Sequence, residues 1–143
     1  LIGGGVFDSF PKLRVGLFES FGGWMPYVIE KLDEGYKPGS AHTPKMQRRA
    51  SEIVQDGNLF CSIESEEKHI AYAVECLGEH LWLFSTDYPH HGSAWPDAVP
   101  IIWKKTMPES AKIKLLKDNA IRFLPRLAAP IAAHQKIRAQ RAH

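Results

Sequence analysis

The sequence predicts an α/β fold built on parallel strands, and three observations carry that prediction. Near-continuous apolar runs of strand length alternate with stretches whose apolar residues recur at helical spacing. The pairing recurs three times in the same order, strand then helix, as expected for parallel strands joined by right-handed crossovers. The chain has 143 residues, 44% hydrophobic and 24% charged. That is the size and composition of one ordinary globular domain able to bury a core.

Each element has its own signal. The opening GGVFDSFPK reads as the end of a helix or a turn that leads into the first strand. LRVGLFES (13–20) has the apolar density of a buried strand, and GGWMPYVIEKLDEGY (22–36) continues as a helix with glycines at its mouth. KPGSAHTP (37–44) is a loop by its Pro, Gly and Ser content, and residues 45–56 form a short amphipathic helix. NLFCSIES (58–65) and EEKHIAYAVECLG (66–78) repeat the unit, with acids in the first helical turn and Gly78 as a stop. LWLFSTD (81–87) and WPDAVPIIWKK (95–105) make the third, its helix kinked or shortened by Pro100. ESAKIKLLKDNAIRFL (109–124) begins after Pro108 and places Ile113, Leu116, Ala120 and Phe123 on one stripe.

The net charge of +2 is unevenly spread, because every fixed charge after Asp118 is basic: Arg122, Arg126, Lys136, Arg138 and Arg141. With no interleaved aromatic platform, this tail reads as a solvated terminal helix rather than a nucleic-acid surface. No apolar run reaches the roughly 18 to 20 residues of a membrane span, and LIGGGVF lacks the basic start and cleavage site of a signal peptide. The expectation is a soluble, cytoplasmic protein with neither nucleic-acid nor membrane partners. Cys61 and Cys76 are expected as buried free thiols, and no Cys-rich zinc pattern occurs.

The candidate functional residues lie where the strands end. Glu19, Glu64 and Asp87 each close a predicted strand at its carboxyl end, the edge where parallel α/β folds place their chemistry. Strands often end in polar residues simply because the loop meets water, and Glu64 sits within the acidic run ESEE. Asp87 is more specific. In LFSTDYPHHGSAWP (83–96) it ends the most apolar strand, is followed by a Tyr-Pro turn and is flanked by His90 and His91. A carboxylate so placed can ligate a metal or accept a proton from metal-bound water. His90 is assigned as a substrate contact or as a partner to a metal ligand, His91 as a surface residue, and Trp95 as a wall of the pocket. Tyr88, Trp95 and Trp24 suit an aromatic or unsaturated acid, although packing explains Trp24 equally well.

GGVFDSFPKLRVGLFES with GGWMPYVIEKLDEGY, then FCSIESEE, LGEHLWLFSTDYPHHGSAWPDAV and LLKDNAIRFL together resemble the amidohydrolase-related family. That family includes aminocarboxymuconate semialdehyde decarboxylase and the resorcylate decarboxylases. The resemblance runs over residues 1 to about 125 in unbroken order. It implies a metal-dependent (β/α)8 barrel, usually with zinc, that hydrolyses or decarboxylates a small organic acid. It further implies Asp87 as metal ligand; on the catalytic reading Asp87 and Glu19 serve as acid or base, and His90, Trp95 and Glu64 as substrate-binding residues. Where the family often has a catalytic histidine followed by glycines, this chain has Glu19 in FESFGGW. It also contains no His-x-His pair.

A complete barrel takes about 250 residues. The expectation is therefore its C-terminal portion, about three βα units plus terminal helices, over residues 1–125, with a basic helical tail at 126–143. Such a chain is expected to be inactive alone and to bind zinc weakly or not at all. The alternative is a stand-alone, non-catalytic α/β module that self-associates and binds a small molecule or protein partner. Three strands leave open edges. Val15, Leu17, Leu59, Cys61, Leu83 and Phe84 belong to near-continuously apolar strands, so covering one face with helices would leave the other apolar and open. This predicts a homo-oligomer, most simply a homodimer. The competing solution folds the tail after Pro125 over the sheet by the thin stripe of Ile131 and Ile137.

Overall fold

The computed structural model describes residues 1–39, 41 and 45–141. The order is α1 (Val6–Ser9), β1 (Val15–Leu17), α2 (Met25–Gly35), α3 (Ala50–Gln55), β2 (Leu59–Glu64), α4 (Ile70–Leu77), β3 (Trp82–Ser85) and α5 (Ala98–Lys104). A terminal helical region follows: α6 (Glu109–Ile113), a π-helical turn (Lys114–Asp118), α7 (Asn119–Phe123), a 3₁₀ turn (Pro125–Leu127) and α8 (Ala128–Arg141). The three βα units are present in the predicted order. Of the predicted loop 37–44, residues 40 and 42–44 lie outside the described residues, and the rest form neither helix nor strand.

The strands lie in the order β1-β2-β3, parallel throughout. Leu17 stands beside Cys61, and Glu64 beside Ser85. Because side chains alternate, one face carries Val15, Leu17, Leu59, Cys61, Ile63, Trp82 and Phe84. The helices cover this face: Met25 and Ile29 of α2, Ile53 and Val54 of α3, Ile70, Ala73, Val74 and Leu77 of α4, and Ile102 of α5 join it in one apolar core. Hydrophobic burial on this side of the sheet fixes the direction in which the strand ends point.

The opposite face carries Gly16, Phe60, Ser62 and Leu83, and it is less open than expected. Phe60, Ser62 and Leu83 are buried. The Phe123 ring lies 5.2 Å from that of Phe60 and 5.8 Å from that of Phe18. A Cβ at Gly16 would meet both the Phe18 and Phe123 rings below 3 Å, so only glycine lets them close over the sheet there. This cover comes from α7; of the tail's predicted stripe, Ile137 is 46% exposed and Ile131 half-buried.

Other local expectations need correction. Glu66 and Glu67 do not form the first turn of α4, which begins at Ile70; they lie in the connection between β2 and α4. Pro100 lies in the first turn of α5, where no intrahelical donor is required, and so the helix runs on to Lys104. Residues 109–123 bury Ala111, Leu115 and Asn119 rather than the predicted stripe, and Ile113 is exposed. Cys61 and Cys76 are free thiols, but Cys76 is exposed on α4.

Candidate functional site at the carboxyl ends of the strands

Glu19 and Asp87 do not end strands; each stands two residues beyond one, after Leu17 and Ser85. Their backbones are equivalent too, with φ of 55° at Glu19 and 54° at Asp87. Phe21 shares this left-handed conformation, at 55°. For a residue with a Cβ it costs about 1–2 kcal/mol, and it persists only where surrounding contacts impose it.

Those contacts are visible in the β1–α2 loop. The Glu19 amide donates to Ser62 Oγ at 3.1 Å, and the Trp24 indole donates to the carbonyls of Ser20 and Phe21, each at 2.9 Å. The Cys61 thiol donates to the Phe21 carbonyl at 3.2 Å. Burial pushes that thiol up to about 11, so it stays protonated and serves as a donor. A Cβ on Gly22 would come within 2.7 Å of Ile63 and Trp82, so glycine lets the loop press on the core. Trp24, 39% exposed, holds the loop through these two bonds.

Across the sheet end, Asp87 opens a turn in which the His90 amide donates to its carbonyl at 2.8 Å. His90 Nδ1 stands 2.7 Å from Asp87 Oδ1. With the proton on Nδ1 the imidazole donates to the carboxylate, which leaves Nε2 as an acceptor or ligand. Asp87 is one quarter exposed and His90 two thirds. Glu19, Asp87 and His90 each offer an atom within 4.8 Å of those of the other two.

Beside this triad lies an open cleft of about 550 Å³ lined by Phe21, Glu64, Glu66, Glu67, Asp87, His91 and Gly92. Burial raises the Glu64 carboxyl above the ordinary glutamate range, and the nearby charges of Asp87, Glu67, Glu66 and Glu19 raise it further. Four of the expected site residues thus gather at one end of the sheet: Glu19, Asp87 and His90 together, with Glu64 at the adjoining cleft. Trp95 does not line that cleft; it is 58% exposed and stacks on Tyr88 at 5.6 Å. His91, expected as a plain surface residue, is exposed yet lines the cleft. Phe21, Glu66 and Glu67 were not anticipated. Only the position of Phe21 after the strand could have pointed to it.

Residues 1–126 match the family model described as amidohydrolase. The chain belongs to the amidohydrolase family. Its three parallel βα units are those of the C-terminal part of that family's barrel. The chain is 28% identical over 127 residues to 2-amino-3-carboxymuconate-6-semialdehyde decarboxylase of Dictyostelium discoideum, covering 87% of this chain and 34% of that protein. The 5-carboxyvanillate decarboxylase of Sphingomonas paucimobilis superposes with a TM-score of 0.70 at 28% identity, over 87% of this chain and 37% of that one. A dihydroxybenzoic acid decarboxylase from Polaromonas, solved with bound manganese and 2-nitroresorcinol, shares the fold with a TM-score of 0.67 at 22% identity. That match covers 86% of this chain and 37% of the other. This amidohydrolase chain spans about a third of the length of these relatives. Among the described residues no helix is long and apolar enough to cross a membrane.

Proposed function

We propose that this chain forms the catalytic-face, C-terminal part of a divalent-metal-dependent amidohydrolase-family enzyme that decarboxylates or hydrolyses a small aromatic or unsaturated acid. The convergence of Glu19, Asp87 and His90 within 4.8 Å is the observation that carries this reading. The donor set fits a divalent ion. Two carboxylates and an imidazole suit manganese or zinc, and the Glu64 carboxyl beside them is raised first by burial and then by the negative charges of Asp87, Glu67, Glu66 and Glu19. Zinc is the metal the sequence resemblance implies, while the manganese of the Polaromonas relative supports a harder ion. Asp87, Glu19 and His90 are the residues that would hold it.

Such an ion supplies Lewis-acid polarisation of a bound carboxylate or carbonyl. The chain's own groups do the rest. Asp87 orients His90 by accepting its Nδ1 proton. Glu64 lines the cleft beside the triad, where its carboxyl can contact a bound substrate. Phe21 offers an exposed ring at the cleft wall for an aromatic acid. Decarboxylation is favoured over hydrolysis because the relatives with 28% identity carry decarboxylase names.

Three donors, two of them on exposed residues, make an incomplete site. The chain alone is therefore expected to bind zinc or manganese more weakly than micromolar, and to release no carbon dioxide from 2,6-dihydroxybenzoate or 5-carboxyvanillate. Equilibrium dialysis of wild type, Asp87→Asn, Glu19→Gln and His90→Ala against manganese tests the reading. Weak binding that each substitution diminishes supports it, whereas binding unaffected by Asp87→Asn overturns it. The outer edges of β1 and β3, unpaired among the described residues, support self-association of the chain as a homodimer. Sedimentation equilibrium giving a monomer near 16.1 kDa would refute that part.

A further inference from the structure

Glu67 sits in the acidic run of the β2–α4 loop and lines the cleft, yet its carboxylate is already occupied. Oε1 accepts the amide of Glu64 at 2.9 Å, and Oε2 accepts the amide of Gly22 at 2.8 Å. One side chain therefore joins the loop that carries Glu64 to the loop that carries Glu19. The backbone carbonyl of Glu67 separately accepts Lys105 Nζ at 2.7 Å, a contact that involves neither carboxylate oxygen. Gly22 is held to this contact from its other side, where Ile63 and Trp82 leave no room even for a Cβ. A carboxylate bound to two amides has little capacity left for a ligand, unlike its neighbour Glu64.

We infer that Glu67 is the positioning residue of this site: it bridges the β1–α2 and β2–α4 loops and so holds Glu19 within reach of Asp87 and His90. The inference rests on the metal-site reading above, but only for its binding readout. Glu19 has a left-handed backbone, three residues from the pinned Gly22 amide. Releasing that amide lets the loop relax toward ordinary backbone angles and withdraws the Glu19 carboxylate from the triad. The substitution Glu67→Gln keeps one acceptor oxygen and offers an NH2 where the second was. A neutral amide there can satisfy one loop and not both.

The test is an NMR comparison of the full 143-residue chain, wild type against Glu67→Ala, Glu67→Gln and Lys105→Met. Two readouts are taken: nuclear Overhauser contacts between the Glu19 and His90 side chains, and the manganese concentration that half-broadens the Glu19, Asp87 and His90 amide signals. Glu67→Ala is expected to abolish the contacts and raise that concentration about tenfold or more, the usual cost of losing a partner that orients a ligand. Glu67→Gln is expected to show a partial effect in the same direction, and it serves alone if the alanine variant does not fold. Lys105→Met, which spares both carboxylate bonds, should leave both readouts unchanged.

Glu19–His90 contacts that persist in both Glu67 variants overturn the inference, whatever manganese does. Wild-type signals that manganese broadens no more at Asp87 than elsewhere overturn the metal reading. The contacts then still decide the role of Glu67.

Discussion

The two ends of the sheet are built on opposite principles. At the amino-terminal end side chains pair with backbone carbonyls and with one another, and among the buried side-chain polar atoms of the described residues Asn119 Oδ1 alone lacks a partner. Asn119 is fully buried and donates to the carbonyls of Glu79 and Trp82 at 2.8 and 2.9 Å. Arg122 donates to the carbonyls of His80 and Gly57 and lies over the Phe60 ring. Arg14 reaches the Arg122 carbonyl, and Glu79 accepts both Ser110 and Lys114 at 2.8 Å. At the carboxyl end three non-glycine residues take left-handed angles, and Glu19, Glu64, Glu66, Glu67 and Asp87 crowd together. One end spends its polar groups on holding the fold, the other on holding acids close. That division is the one expected of barrel strands, whose chemistry gathers at their carboxyl ends.

The largest expected effect breaks the amino-terminal end. Asn119→Ala strips the buried Trp82 carbonyl and the half-buried Glu79 carbonyl of their donor and leaves a void, offset in part by loss of the unpaired Oδ1, and should cost about 2 kcal/mol of stability. Urea unfolding checks this, and manganese binding by the folded fraction should be unchanged. A loss below about 1 kcal/mol would mean that this end is not the fold's anchor.

At the opposite end the sign should reverse. Glu19→Gly and Asp87→Gly remove a left-handed penalty of about 1–2 kcal/mol and add back roughly 0.5–1 kcal/mol of glycine flexibility. Each should leave the chain slightly more stable while diminishing metal binding. Destabilisation by both would show that their side chains serve the fold, as Asn119 does.

The pH dependence of stability should separate the ends in the same way. The bonds from Lys114 and Ser110 hold Glu79 below the ordinary glutamate value of 4.5. Its contribution is therefore present above that value and lost as pH falls through its lower folded-state value. Glu64 is raised, so the folded chain keeps that proton more firmly than the unfolded one. Its contribution is full below 4.5 and declines as pH rises through its higher folded-state value. Glu79→Gln should flatten the acid limb of a stability–pH curve, and Glu64→Gln the limb above 4.5. Denaturant midpoints across that range measure both.

The comparison also shows what a sequence can disclose. The three βα units were legible because burial on the helix-covered face forces apolar periodicity, and the terminators Pro108 and Gly78 act through local backbone geometry. Glu19 and Asp87 were legible as strand-end acids, although their strain was not, since a left-handed non-glycine residue is imposed by tertiary contacts such as that from Ser62. The stripe in the terminal helix was misplaced because the last of its three buried residues is polar. Asn119 is fully inside, and a π-helical turn just before it shifts the phase. Glu67 was hidden for a related reason. Within ESEE it looks like a solvated charge, and its role depends on a Gly22 amide 45 residues away. The exposure of Cys76 was missed because helical periodicity alone does not say which side of α4 faces Tyr72, itself 58% exposed.

The most direct measurement is anomalous diffraction at the manganese edge from crystals of the chain soaked in a manganese salt. A peak coordinated by Glu19, Asp87 and His90, and absent from Asp87→Asn crystals grown the same way, is the expected result. Density at other surface carboxylates with none at this triad would contradict the assignment of the strained end as a metal site.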